Sequence, residues 1–192
     1  MSTPILDNAP FSWVSDPPES RVCLCLHGLG GGPYEMRLLA PVLQGRGWAI
    51  EAILYPGHGE VARGIGPDWW MPGSTWPEWY RAAEAAYLRL WQEFGQVAIV
   101  GFSTGCPLAL HLAAAHPEVD RLVLVSPFLG LRRWPGLPEP ERALRWLHPT
   151  IPFVLRWKLA IRDRRLRQAG EAVSEFRTFN LTAVASALEL ID

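Results

Sequence analysis

Long apolar runs are absent from this 192-residue chain, and so is a basic leader. No stretch stays apolar for the roughly 20 residues that a bilayer-crossing helix needs. The opening "MSTPILDNAPFSWV" has neither a positive start nor an apolar centre. No signal peptide is read there, and a cytoplasmic location is expected. An excess of charge is also missing: 18 Lys and Arg face 19 Asp and Glu, for a net charge of −1. No whole-molecule field draws such a chain to nucleic acid or to an anionic membrane surface. Cysteine is limited to Cys23, Cys25 and Cys106. An odd number at these spacings makes neither a disulfide framework nor a zinc site, so no metal is expected. Cys23 and Cys25 alternate in one apparent strand, share a face and read as small buried side chains. Internal repeats and low-complexity segments are absent too.

What is present suits one domain with a real core, since 49% of residues are apolar and 19% charged. Four near-continuous apolar runs, ended by glycine or proline, read as buried parallel strands: residues 21–28, 48–59, 96–103 and 121–128. Helical patterns separate them. "PYEMRLLAPVLQGRG" follows the first strand, with Pro41 expected to kink it. "TWPEWYRAAEAAYLRLWQEFG" precedes the third, with a capping pair in Thr75 and Glu78 and a glycine stop at Gly95. "PLALHLAAAHP" follows the third. Alternating strands and helices imply right-handed crossovers and an α/β fold with a mostly parallel sheet. After Phe128 the texture changes to proline, tryptophan and more than half of all Lys and Arg. We read residues 1–128 as the core and 129–192 as a helical lid closed by a short amphipathic helix, "NLTAVASALELID". The arginines of the lid read as a solvated face.

"GFSTG" places Gly101-x-Ser103-x-Gly105 between a strand and a helix. A turn this sharp needs glycine on both sides and holds the serine hydroxyl out from the C-terminal edge of the sheet. That edge is where ligands sit in open α/β sheets. Attack on an ester puts negative charge on the carbonyl oxygen, which preorganised N–H groups stabilise. One donor is the N–H of Thr104, at a helix N-terminus. The other is expected from "HGLGGGP", at Leu29, where Gly28, Gly30, Gly31 and Gly32 let the backbone bend. His27 and His58 read as residues that shape this edge.

"HGLGG", "LYPGHG", "TW..WY" and "GFSTG", in that order, resemble the α/β-hydrolase superfamily, in particular its carboxylesterase and monoacylglycerol-lipase-like branch. The resemblance runs from about residue 20 to the chain end, lid included. It implies a serine hydrolase that cleaves carboxylic esters through an acyl-enzyme on Ser103, with no cofactor. It also implies a triad acid and histidine on loops beyond the lid, so the C-terminal strands are expected to be missing here.

Substitutes for the absent base fit poorly. His111 and His116 lie far along the helix that Ser103 opens. His27 braces its own loop, His58 shapes the neighbouring one, and His148 sits in the lid. Asp163 and Glu171 are lid residues, and Asp120 lies at the wrong edge of the sheet. The chain by itself is therefore expected to be a weak esterase or an inactive one. Residues 121–128 would be left as an apolar edge strand, open to pairing with another chain. Two further readings stay open: a non-catalytic module that pairs along this edge, and a thioesterase or lactonase with the same elbow chemistry.

Overall fold

The computed structural model describes residues 7–13, 21–58, 70–131, 140–147, 150–156, 162–173 and 176–192. Among the described residues the first strand is β1 (Phe11–Trp13), and the next is β2 (Val22–Leu26). A 3-10 turn at Pro33–Glu35 leads to helix α1 (Ala40–Gln44) and strand β3 (Ala49–Ala52). Helix α2 (Trp76–Phe94), strand β4 (Val97–Phe102), helix α3 (Gly105–Ala115) and strand β5 (Arg121–Val125) complete the first part. The main sheet has the order β1-β3-β2-β4-β5, parallel except for β1, which runs antiparallel to β3.

Period-two alternation divides the core into two faces. Val22, Leu24, Leu26, Val97 and Ile99 pack against Trp79, Tyr87 and Leu90 of α2 and Leu108 and Leu112 of α3. Cys23, Cys25, Ile50, Ala98 and Val100 face the other way, against Met36, Ala40 and Trp48. The cysteines are free and buried, as their shared strand face implies. The sheet ends at β5, which among the described residues pairs with β4 alone and leaves Val123 50% and Val125 40% exposed.

Three of the expected helix and strand assignments change, and one strand is added. The helix expected over 33–47 is split into the 3-10 turn and the five-residue α1. Pro41 falls in the first turn of α1, where its missing N–H costs nothing. The strand expected over 48–59 is limited to Ala49–Ala52. Strand β1 was not expected, because three residues carry no period. The segment read as a helical lid is not wholly helical: besides helices α4 (Pro140–Leu147) and α5 (Arg164–Val173), strand β6 (Phe153–Leu155) pairs antiparallel with β7 (Thr178–Asn180).

The last helix, α6 (Leu181–Glu189), is buried on most sides rather than amphipathic. Its alanines let it approach closely, and Ala183, Ala187 and Leu190 join the core on the α2 face. Asn180 caps it, its Oδ1 accepting from the N–H of Thr182 at 2.9 Å. Ser186 Oγ accepts from the first N–H of α2, that of Trp76, at 2.7 Å. At that same end the Thr75 N–H donates to Glu78 Oε2 at 2.7 Å, and Gly95 closes α2 in the left-handed region at φ 73°.

Candidate active site

Strand β4 runs into α3 through Ser103, whose φ of 53° is a left-handed conformation that costs a non-glycine residue of order 1–3 kcal/mol. The surroundings enforce it. The Ser103 N–H donates to Val125 O at 3.0 Å, and the Phe128 N–H donates to Ser103 O at 3.1 Å. The elbow is thus tied on both sides to the end of β5. A Cβ on Gly101 would come 2.5 Å from Gly105 O, and one on Gly105 would come 2.2 Å from Leu26 O. Both glycines are demanded by close backbone approach. Cys106 fills the remaining gap, its Sγ donating to Gly101 O at 3.1 Å.

The loop after β2 comes up against this elbow. A Cβ on Gly28 would lie 3.1 Å from Ser103 Cβ, so loop and serine are neighbours. The Gly31 N–H donates to Gly28 O at 3.1 Å, and Gly30 has φ 62°. The loop thereby turns back on itself beside the serine. Among the described residues the N–H groups of Leu29 and Thr104 have no acceptor.

His27 is fully buried beneath the loop. Its Nε2 accepts the Tyr55 N–H at 3.2 Å, which leaves the ring proton on Nδ1, 2.9 Å from Gly28 O. Burial holds its pKa well below the ordinary histidine value, and nearby His58 lowers it further. His58 is buried too, and its pKa is pushed down to about 4. Its Nδ1 lies 3.2 Å from Pro56 O, and its ring meets Trp79 edge-on at 5.3 Å. Both are neutral rings near pH 7, and the hydrogen bonds of His27 link the loop at Gly28 to the one at Tyr55.

The other candidates lie elsewhere. His111 Nε2 bonds Leu190 O at 2.9 Å and stacks on Trp76. His116 sits between Glu84 at 3.0 Å and Glu118 at 3.4 Å. Asp120 pairs with Arg121. Asp163 caps α5, accepting the N–H groups of Arg165 and Leu166. Glu171 is exposed on α5, and His148 lies outside the described residues. None of the four described histidines hydrogen-bonds Ser103.

Two residues were missed by sequence reasoning. Glu35 is half-buried against the loop and its Oε2 accepts the Gly28 N–H at 2.8 Å. Burial raises its carboxyl pKa to about 7, opposed by that N–H and by the charge of Arg156. Arg156, at the end of β6, donates through Nη1 to Gly30 O at 2.8 Å. An acid just after a glycine loop is a weak local signal, and Arg156 arrives from 126 residues away. Among the described residues no group of His, Cys, Asp and Glu is clustered to hold a metal ion, and no helix is long and apolar enough to cross a membrane.

A strained serine between a parallel strand and a helix, facing a glycine loop from the neighbouring strand, defines a class of fold. Residues 22–152 match the family of the alpha/beta hydrolase fold, and the chain belongs to it. Its relatives include the thermostable monoacylglycerol lipase of Bacillus sp. (strain H-257), 28% identical over 123 residues. That match takes in 64% of this chain and 46% of the relative, so the chain spans about half the length of that curated protein. A structure from work on LipS and LipT, two metagenome-derived lipolytic enzymes, superposes with a TM-score of 0.71 at 20% identity. It covers 99% of this chain and 69% of its own. The monoacylglycerol lipase of Paleococcus ferrophilus gives 0.70 at 20% identity, covering 95% and 69%. The resemblance on the sequence motifs to lipase- and esterase-like hydrolases is borne out.

Proposed function

We propose that this chain carries the nucleophile and the oxyanion site of a serine hydrolase acting on small carboxylic esters. The observation that carries the reading is the left-handed Ser103 beside Gly28, with the Leu29 and Thr104 N–H groups uncommitted. Ser103 Oγ attacks the ester carbonyl carbon. The carbonyl oxygen gains the charge and takes hydrogen bonds from Leu29 and Thr104, the second strengthened by the N-terminus of α3. Collapse expels the alcohol and leaves the acyl group on Ser103, and water then releases the acid. His27 takes no proton, because its Nε2 already accepts the Tyr55 N–H and its Nδ1 faces Gly28 O; His58 is a weak base, its pKa held to about 4 by burial, and it makes no hydrogen bond to Ser103. The proton acceptor is not among the described histidines. By resemblance it belongs to a loop beyond the lid, paired there with an acid. A nucleophile and oxyanion site working without that base give on the order of 10³–10⁴ over the uncatalysed reaction.

A fluorophosphonate probe and intact-mass measurement test this reading. We expect one slow covalent adduct on Ser103, absent from Ser103→Ala. No adduct on a folded chain, or one that survives the substitution, rejects it. Thioesters and lactones would react through the same elbow, so a substrate panel decides between them.

A second reading rests on the exposed Val123 and Val125 of β5. In it the chain is a non-catalytic module that pairs along this edge. A monodisperse dimer with no ester turnover and no Ser103 adduct favours it over the first.

A further inference from the structure

The loop between Gly28 and Gly31 is gripped at two points by charged side chains from different parts of the chain. Glu35 is anchored in the 3-10 turn that follows the loop and takes the Gly28 N–H through Oε2. Arg156 reaches across from the lid sheet and gives Nη1 to Gly30 O. Its guanidinium also lies over the Phe179 ring of β7, 5.3 Å from the centroid, and its own backbone N–H is bonded to Arg177 O at 2.8 Å. The position of Arg156 is thus set by the pairing of β6 with β7. Leu29 lies between the two gripped residues.

We propose that Glu35 and Arg156 are positioning residues that hold the Leu29 amide in line with Ser103, one from below the loop and one from the lid. The inference rests on the reading of Leu29 as an oxyanion donor. It makes the lid more than a cover: docking of the β6–β7 sheet sets the geometry of the amide that meets the developing charge.

The grip also depends on charge. A carboxylate accepts the Gly28 N–H strongly, and a carboxylic acid less so. Glu35 titrates close to pH 7, because burial raises it further than Gly28 and Arg156 lower it. The groups that bear on it are few. Tyr55 lies close enough for Glu35 to raise the phenol's pKa, and the Nδ1 of neutral His27 lies 2.9 Å from Gly28 O. Helix α5 packs against the 3-10 turn with Arg164, Arg165 and Glu171 exposed and Arg167 half-buried. Arg156 is the cation whose charge acts directly on the carboxyl.

Amide NMR of the full chain, together with the rate of Ser103 labelling by a fluorophosphonate, tests the proposal. The Gly28 amide proton should shift with a midpoint near pH 7 in the wild type. Glu35→Gln should abolish that shift while keeping an acceptor for the N–H. Arg156→Gln should move the midpoint upward. Labelling should fall about tenfold in Glu35→Ala and in Arg156→Ala, a modest fraction of the 10²–10³ lost with a whole oxyanion donor. Glu35→Gln should recover most of the rate. A Gly28 amide indifferent to pH, or a midpoint indifferent to Arg156→Gln, overturns the grip. Normal labelling in both alanine variants overturns its role at Ser103 and leaves the hydrolase reading standing. A wild-type chain that never labels overturns the hydrolase reading itself, and this inference with it.

Discussion

The backbone at Ser103 stores strain that glycine would not feel. Replacing it with glycine removes the cost of φ 53° and adds unfolded-state freedom worth about 0.4–1 kcal/mol. Ser103→Gly should therefore be more stable than the wild type by about 1 kcal/mol in urea titration, while losing the covalent adduct. Its neighbours respond in the opposite direction. A Cβ on Gly105 meets backbone oxygen at 2.2 Å, and backbone cannot swing aside as a side chain can. Gly105→Ala should cost about 1–3 kcal/mol by the same measurement. Buried titrating groups make stability depend on pH in two opposing senses. His58 has its pKa lowered from 6.5 to about 4, so the unfolded chain binds its proton more readily. Its contribution is complete above pH 6.5 and is lost as pH falls toward 4, to the extent of about 3 kcal/mol. Glu35 has its pKa raised from 4.5 to about 7, so here the folded chain holds the proton more tightly. That contribution is complete below pH 4.5 and is lost as pH rises through 7, again by about 3 kcal/mol. Urea titrations from pH 4 to 8 should show Glu35→Gln gaining on the wild type steadily as pH rises from 4.5 to 7.

Among the elements, helix ends and one sheet edge carry the sharpest expectations. Asn180 both ends β7 and caps α6, with Oδ1 accepting two N–H groups. Asn180→Ala should cost about 1 kcal/mol, and α6 amides should exchange faster because the frayed end lies at its first turn. Strand β5 shows Val123 and Val125 to solvent along an unpaired edge among the described residues. A lysine there blocks strand-to-strand pairing without touching the packed face. Val123→Lys should lower concentration-dependent light scattering and leave the melting temperature within a few degrees of the wild type. Helix α2 was the most legible element, because Thr75, Glu78 and Gly95 mark both its ends in the sequence and all three act as those signals imply. The region 33–47 reads as one helix because its apolar residues recur with a helical spacing. A proline is excluded from a helix interior, so the segment divides and α1 begins with Pro41 in its first turn.

At the scale of the whole molecule, the segment after Phe128 joins the central sheet through the glycine loop and the last helix. Phe176, Ala183, Ala187 and Leu190 lie in the same apolar cluster as the central strands, and Arg156 meets Gly30 from the lid sheet. Local pattern was enough to determine four parallel strands, the two long helices and the elbow with its flanking glycines. Each is specified by residues within a few positions of one another, through periodicity, capping or steric exclusion. Tertiary structure alone decided the β6–β7 pairing, the burial of α6, and the approach of Glu35 and Arg156 to the loop beside Ser103. Those contacts join residues distant in the chain or lying on irregular backbone, and the folded chain selects them by burying apolar area and by hydrogen-bonding each buried polar group.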